Sequence, residues 1–141
     1  MPVRSASAVW LGNNTEGQGT LKFADYEGNY GFKSRFEEGP GTNPEEVLGA
    51  AHAACFTQAL SGILTRAGFP PTRLETMAEV KLEKLEEGFR ITQITLNLTG
   101  DVPNIDAATF QSSAETAKKN CPVSKALTGV NEVVLKATLA G

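Results

Sequence analysis

Apolar positions are spread thinly along most of this chain and crowd into one stretch, residues 43–69, NPEEVLGAAHAACFTQALSGILTRAGF. Val47, Leu48, Phe56, Leu60, Ile63 and Leu64 are large and apolar, alanines fill the gaps, and after the opening acids no charge intervenes before Arg66. A helix apolar around most of its circumference is a buried helix. The ends carry helix punctuation. Asn43 is a capping residue, Pro44 suits the first helical position, and Glu45 and Glu46 complement the positive end of the helix dipole. Gly68 and Pro70 stop it. At ~1.5 Å per residue the element runs ~35 Å, about the width of a small domain.

The rest of the chain alternates. Residues 5–11 and 19–26 read as strands, followed by a turn at Glu27-Gly28-Asn29. Residues 30–36 read as a third strand, with Tyr30, Phe32, Ser34 and Phe36 on one face and Lys33 and Arg35 on the other. Residues 73–86 and 89–98 form the clearest hairpin, with a phase slip between Ile91 and Ile94 that predicts a bulge near Thr92-Gln93. Residues 106–120 are an amphipathic helix capped by Asp106. A short helix follows over 122–127, and a last strand over 130–139. Strands grouped three, two and one around separate helices predict an α+β fold, with antiparallel sheets around a long, central, buried helix, in a single domain over 1–141.

Composition narrows the function. Of 141 residues, 40% are hydrophobic and 21% charged, as in ordinary globular proteins, and the net charge of −3 argues against nucleic acid or an anionic membrane as partner. No basic start leads into an apolar run as in a signal peptide, and His52, Thr57, Gln58 and Ser61 interrupt the long apolar stretch, so it reads as core rather than as a membrane span. Two cysteines in a chain of this length are too few for a secreted disulfide scaffold. The expected compartment is the cytoplasm, where such a pair more often does redox chemistry.

Those cysteines, Cys55 and Cys121, are the candidate chemistry. Cys55 lies mid-helix, three residues after His52, the only histidine. A buried free cysteine is most often a small hydrophobe, and a mid-helix thiol needs an outside cation to hold a thiolate. Cys121, followed by Pro122, stands at a helix start, where a thiol is acidified; local logic makes it the more acidic of the two. A zinc site built on His52 and Cys55 lacks further ligands at a paired spacing, so neither a metal nor a cofactor is expected. Two other readings stay open on residues alone: a binding module for a small apolar ligand with inert cysteines, and a general dithiol oxidoreductase, which the absence of a CxxC motif disfavours.

Three blocks in order carry a resemblance: Ser34-Arg35-Phe36; Gly41-Thr42-Asn43-Pro44-Glu45-Glu46 running on to Gly49-Ala50-Ala51-His52-Ala53-Ala54-Cys55-Phe56; and Asn120-Cys121-Pro122-Val123-Ser124. They resemble the OsmC/Ohr family and, within it, the OsmC (osmotically inducible protein C) branch. The resemblance implies a cytoplasmic, thiol-dependent peroxidase reducing organic hydroperoxides and hydrogen peroxide, built as an intertwined homodimer. It implies Cys55 as the attacking cysteine and Cys121 as the resolving one. It also implies that Arg35, paired with a glutamate of the Pro44-Glu45-Glu46 step, activates Cys55, and that an external thiol, dihydrolipoamide-like or thioredoxin-like, restores the enzyme. Helix geometry separates the two glutamates. With Asn43 as cap, Glu46 is the third helical residue, positioned to reach back to the cap's backbone N–H. At about 100° per residue, Glu45 lies within about 80° of Cys55 around the axis, whereas Glu46 lies on about the opposite face. Glu45 is therefore the expected partner of Arg35.

Overall fold

The computed structural model describes residues 2–141. Two compact units meet between Val47 and Leu48, within one continuous helix.

The first unit is a three-stranded antiparallel meander, β1 (Ser7–Leu11), β2 (Gln18–Phe23) and β3 (Tyr26–Tyr30), in the order β1-β2-β3. The turn between β2 and β3 falls at Ala24-Asp25, three residues before the one expected at 27–29. Ala24 takes a positive φ of 49° there. The reason is cross-strand pairing. With this register Phe23 faces Tyr26, their rings 5.0 Å apart, and Lys22 faces Glu27. An aromatic pair and an opposite-charge pair outweigh a Gly/Asn turn signal.

The expected third strand over 30–36 does not form either. Its second half is a short helix, α1 (Phe32–Phe36). Ser34 makes the difference. Its hydroxyl accepts from the Gly31 N–H at 2.9 Å, and Asn43 Nδ2 donates to the Ser34 carbonyl at 2.9 Å. Phe32 and Phe36, which alternation places on one strand face, meet instead one helical turn apart, their tilted rings 5.1 Å between centres.

Helix α2 (Pro44–Arg66) starts where expected. Asn43 Oδ1 accepts from the Glu46 N–H at 2.8 Å, which is an N-cap. The Glu46 carboxylate accepts from the Thr42 hydroxyl at 2.8 Å rather than reaching back to the Asn43 N–H. The far end closes as a Schellman motif: the Phe69 N–H donates to the Leu64 carbonyl and the Gly68 N–H to the Thr65 carbonyl, with Gly68 at φ +92°, where a side chain would be strained.

In the second unit, β4 (Arg73–Leu85) and β5 (Gly88–Asp101) form a long antiparallel hairpin across Glu86-Glu87. Lys81 faces Gln93 and Leu82 faces Ile91, so Thr92 is the extra residue of a bulge at the predicted place. Helix α3 (Ala107–Asn120) is capped by Asp106, whose carboxylate accepts from the Thr109 N–H at 3.3 Å. Helix α4 (Pro122–Ala126) follows with Cys121 as its cap residue, and β6 (Glu132–Leu139) completes the sheet. The sheet order is β4-β5-β6, and β6 lies parallel to β5, not antiparallel as expected. Parallel neighbours need a crossover, and α3 with α4 supplies it.

The core is Ile94, Leu96 and Leu98 of β5 packed with Phe56, Leu60 and Leu64 of α2 and Phe110, Ala114 and Ala117 of α3. Fully burying each of the large side chains contributes about 1.5–3 kcal/mol. Gly49 lets α2 approach the sheet; a methyl there would meet Val80 Cγ2 at 3.3 Å. One stripe of α2 is buried, Glu45, Gly49, His52, Phe56, Leu60 and Leu64, while Ala50, Ala51 and Ala54 are exposed. The helix is thus half-buried in this chain. Alanine on its far side is apolar enough to make the helix look buried all round, yet small enough to stand in water. By length and composition α2 could cross a membrane, but its buried stripe is part of the core.

Candidate active site

Each unit carries one cluster of the sequence candidates. In the first, α1 presents Arg35 to the first turn of α2. Its Nη2 donates to Glu45 Oε1 at 2.8 Å and its Nε to Oε1 and Oε2 at 3.1 and 3.3 Å. Such a forked pairing fixes the guanidinium's orientation as well as its charge. The Glu45 side chain is 10% exposed and that of Arg35 37%, so the carboxylate is the sheltered partner. Arg35 lies 5.3 Å from the Phe36 ring centre and borders a pocket of about 270 Å³ with Trp10, Tyr30, Phe32 and Phe36. Glu46 points elsewhere, to Thr42.

In the second unit the crossover brings Cys121 against Cys55, 66 positions away in sequence (121 − 55). Both are free thiols. The Cys55 thiol donates to Cys121 Sγ, and the Val123 N–H points at both sulfurs. Burial pushes the Cys55 pKa up, and holding its proton toward Cys121 adds to this. Burial also opposes charge on Cys121, which has no exposed surface. There it is outweighed by hydrogen bonds from Cys55, from the Ser124 backbone and side chain and from the Val123 N–H, and the pKa falls. These are soft contacts to a large sulfur rather than a tight side-chain cap. Cys121 is therefore the more acidic thiol, as its place at a helix start predicts.

Accessibility runs the other way. Cys55 is partly exposed and lines an open groove of about 610 Å³ with Ala59, Ile63, Arg66, Asn120 and Pro122. An incoming molecule meets the Cys55 sulfur first. His52 is fully buried, and its Nε2 lies 2.7 Å from Ser124 Oγ. Among the described residues, no group of three or more His, Cys, Asp and Glu side chains could hold a metal ion. Ser124 is the residue to which sequence reasoning gave no role. Its place three positions after Cys121, on the first turn of α4, is the signal that marks it.

A family model described as OsmC-like protein matches residues 37–136. The chain belongs to the OsmC-like family. It is 48% identical over 127 residues to peroxiredoxin OsmC of Escherichia coli strain K12, covering 88% of this chain and 89% of that protein. An organic hydroperoxide resistance protein of Xanthomonas axonopodis pv. citri is 32% identical over 98 residues, covering 69% of this chain and 67% of that one. Among solved structures, the organic hydroperoxide resistance protein OhrB of Bacillus subtilis superposes with a TM-score of 0.71 at 27% identity, over 96% of this chain and 98% of that one. OsmC-like membership fits the α+β architecture and the three sequence blocks that pointed to it.

Proposed function

We propose that this OsmC-like chain is a cysteine peroxidase that reduces organic hydroperoxides and hydrogen peroxide at the expense of an external thiol. The observation that carries the reading is the hydrogen-bonded pair of Cys55 and Cys121, one reachable and one sealed. The similarity to proteins named for peroxide reduction and hydroperoxide resistance supports it. The Cys55 thiolate attacks the terminal peroxide oxygen, the O–O bond breaks, and the alcohol leaves after taking up a proton. Cys55 is then a sulfenic acid. The Cys121 thiolate attacks its sulfur and expels water, forming the disulfide, and two electrons from an external thiol reduce it. A depressed pKa is useful to Cys121 here, because resolution needs its thiolate.

Arg35 is the proposed source of the positive charge that Cys55 needs, and Glu45 the residue that orients it. Their forked ion pair supports this assignment. Residues 1–141 act as one peroxidase domain in this reading, which the family match across the Val47–Leu48 boundary supports. The active form is an intertwined homodimer in the cytoplasm. Among the described residues, buried apolar side chains begin only at Phe56, so the first unit supplies none. Val9 and Leu11 on β1, Met77 on β4 and Phe89 on β5 are more than half exposed. A folded monomer at micromolar concentration by sedimentation would sink the dimer. The function is tested by consumption of cumene hydroperoxide with dihydrolipoamide or thioredoxin as reductant, alongside thiol counts. Two thiols per chain should be lost to peroxide; a mere binding module would lose none.

A further inference from the structure

Among the described residues, His52 is the one buried titratable side chain that the peroxidase reading leaves idle. Its surroundings fix which way its proton points. Nε2 contacts Ser124 Oγ at 2.7 Å, and Nδ1 is buried with no hydrogen-bond partner among the described residues. A neutral imidazole carries one N–H. If that proton sat on Nδ1, a buried donor would be orphaned, and orphaned N–H groups are rarer in folded proteins than orphaned acceptors. The proton therefore sits on Nε2 and is donated to Ser124 Oγ. Burial lowers the His52 pKa and keeps the ring in this neutral form. A serine hydroxyl has a single proton. With its oxygen accepting from His52, Ser124 is left to donate, and the acceptor beside it is Cys121 Sγ.

We propose that His52 is a positioning residue for the reductive half of the cycle: through Ser124 it directs a proton donor at Cys121 and makes Cys121 the departing sulfur of the oxidised pair. The inference rests on the peroxidase reading for its place in the cycle. A small dithiol enters the groove and its thiolate attacks Cys55 Sγ, the sulfur that lines it. The Cys55–Cys121 bond breaks, and its electron pair goes to Cys121, where the Ser124 hydroxyl stabilises the charge. The second thiol of the reductant then displaces Cys55 from the mixed disulfide. The dithiol ends as a cyclic disulfide, having given two electrons, and its two protons account for two restored thiols. A sulfur of lower pKa leaves faster, so the chain His52–Ser124–Cys121 governs both the rate and which sulfur is attacked.

The experiment uses the intact chain with the disulfide made by diamide, so that it runs even if the chain reduces no peroxide. Reduction by dithiothreitol is followed by quenched alkylation, and 2-mercaptoethanol adducts are located by mass spectrometry. Ser124→Ala and His52→Leu should each slow reduction about three- to tenfold, and the double variant no further, because both remove the same proton donor. His52→Gln, which keeps an N–H near the Nε2 position, should restore most of the rate. The monothiol adduct should sit on Cys55 in the parent and spread to Cys121 in Ser124→Ala. Should His52→Leu fail to fold, Ser124→Ala with the adduct map decides alone. Unchanged reduction in Ser124→Ala, or an adduct on Cys121 in the parent, overturns the proposal. A parent that forms no disulfide with peroxide, yet shows these effects after diamide, overturns only the peroxidase reading.

Discussion

Cys55 and Cys121 are the same side chain in opposite surroundings. Cys55 sits mid-helix, lines a groove and holds its proton; Cys121 is sealed at the junction of α3 and α4 and collects hydrogen bonds that favour its charge. Access and acidity, which a single reactive thiol would combine, are divided between two. The division teaches that a place at a helix start can help lower a thiol's pKa without opening that thiol to an outside molecule. In the proposed reading the partly exposed thiol draws on the charge of the Arg35 guanidinium, while the buried one resolves.

The comparison breaks first at the cysteines themselves. Cys55→Ser should abolish peroxide consumption, whereas Cys121→Ser should permit one stoichiometric turnover and leave Cys55 as a sulfenic acid or a higher oxide. Full activity in Cys55→Ser with none in Cys121→Ser would reverse the roles. Next, Arg35→Met should lower the rate at neutral pH about a hundredfold and raise the pH at which Cys55 reacts with a thiolate-selective reagent; an unchanged profile would return Arg35 to a structural part. Glu45→Ala should slow the rate less, since the guanidinium remains, with little change in melting temperature. Asn43→Ala should cost about 1 kcal/mol in denaturant unfolding by uncapping the helix that carries Cys55. Glu46→Ala should cost less, because the cap is the Asn43 side chain and the Glu46 carboxylate serves only Thr42. The smallest effect concerns His52. Its folded pKa lies below the ordinary 6.5, so the unfolded chain takes up the proton first as the medium is acidified. Stability is intact above 6.5 and declines as pH falls toward the folded value; His52→Gln should flatten that part of a stability–pH curve.

Much of this was legible from residue types. The caps at Asn43 and Asp106, the stop at Gly68, the bulge at Thr92 and the choice of Glu45 over Glu46 as the arginine's partner all rest on local chemistry that tertiary structure did not override. Local signals failed where a distant contact decided. Five alternating residues cannot distinguish a strand from one turn of helix, and Ser34 and Asn43 settled α1. The parallel placement of β6 depends on a crossover that no periodicity encodes. Ser124 stayed silent because its partner, His52, is 72 residues away (124 − 52), and a serine after a proline looks like any helix start.

The crossover that sets β6 beside β5 also imposes a timetable. Cys55 leaves the ribosome 66 residues ahead of Cys121, a lead of about 3–13 s at ordinary elongation rates. Throughout that interval the nascent chain carries an unaccompanied thiol. The segment that carries Cys121 and closes the sheet arrives late, as one piece. Translation thus exposes the Cys55 sulfur before Cys121 exists, and the shorter that interval, the smaller the fraction of newborn chains that oxidation can spoil.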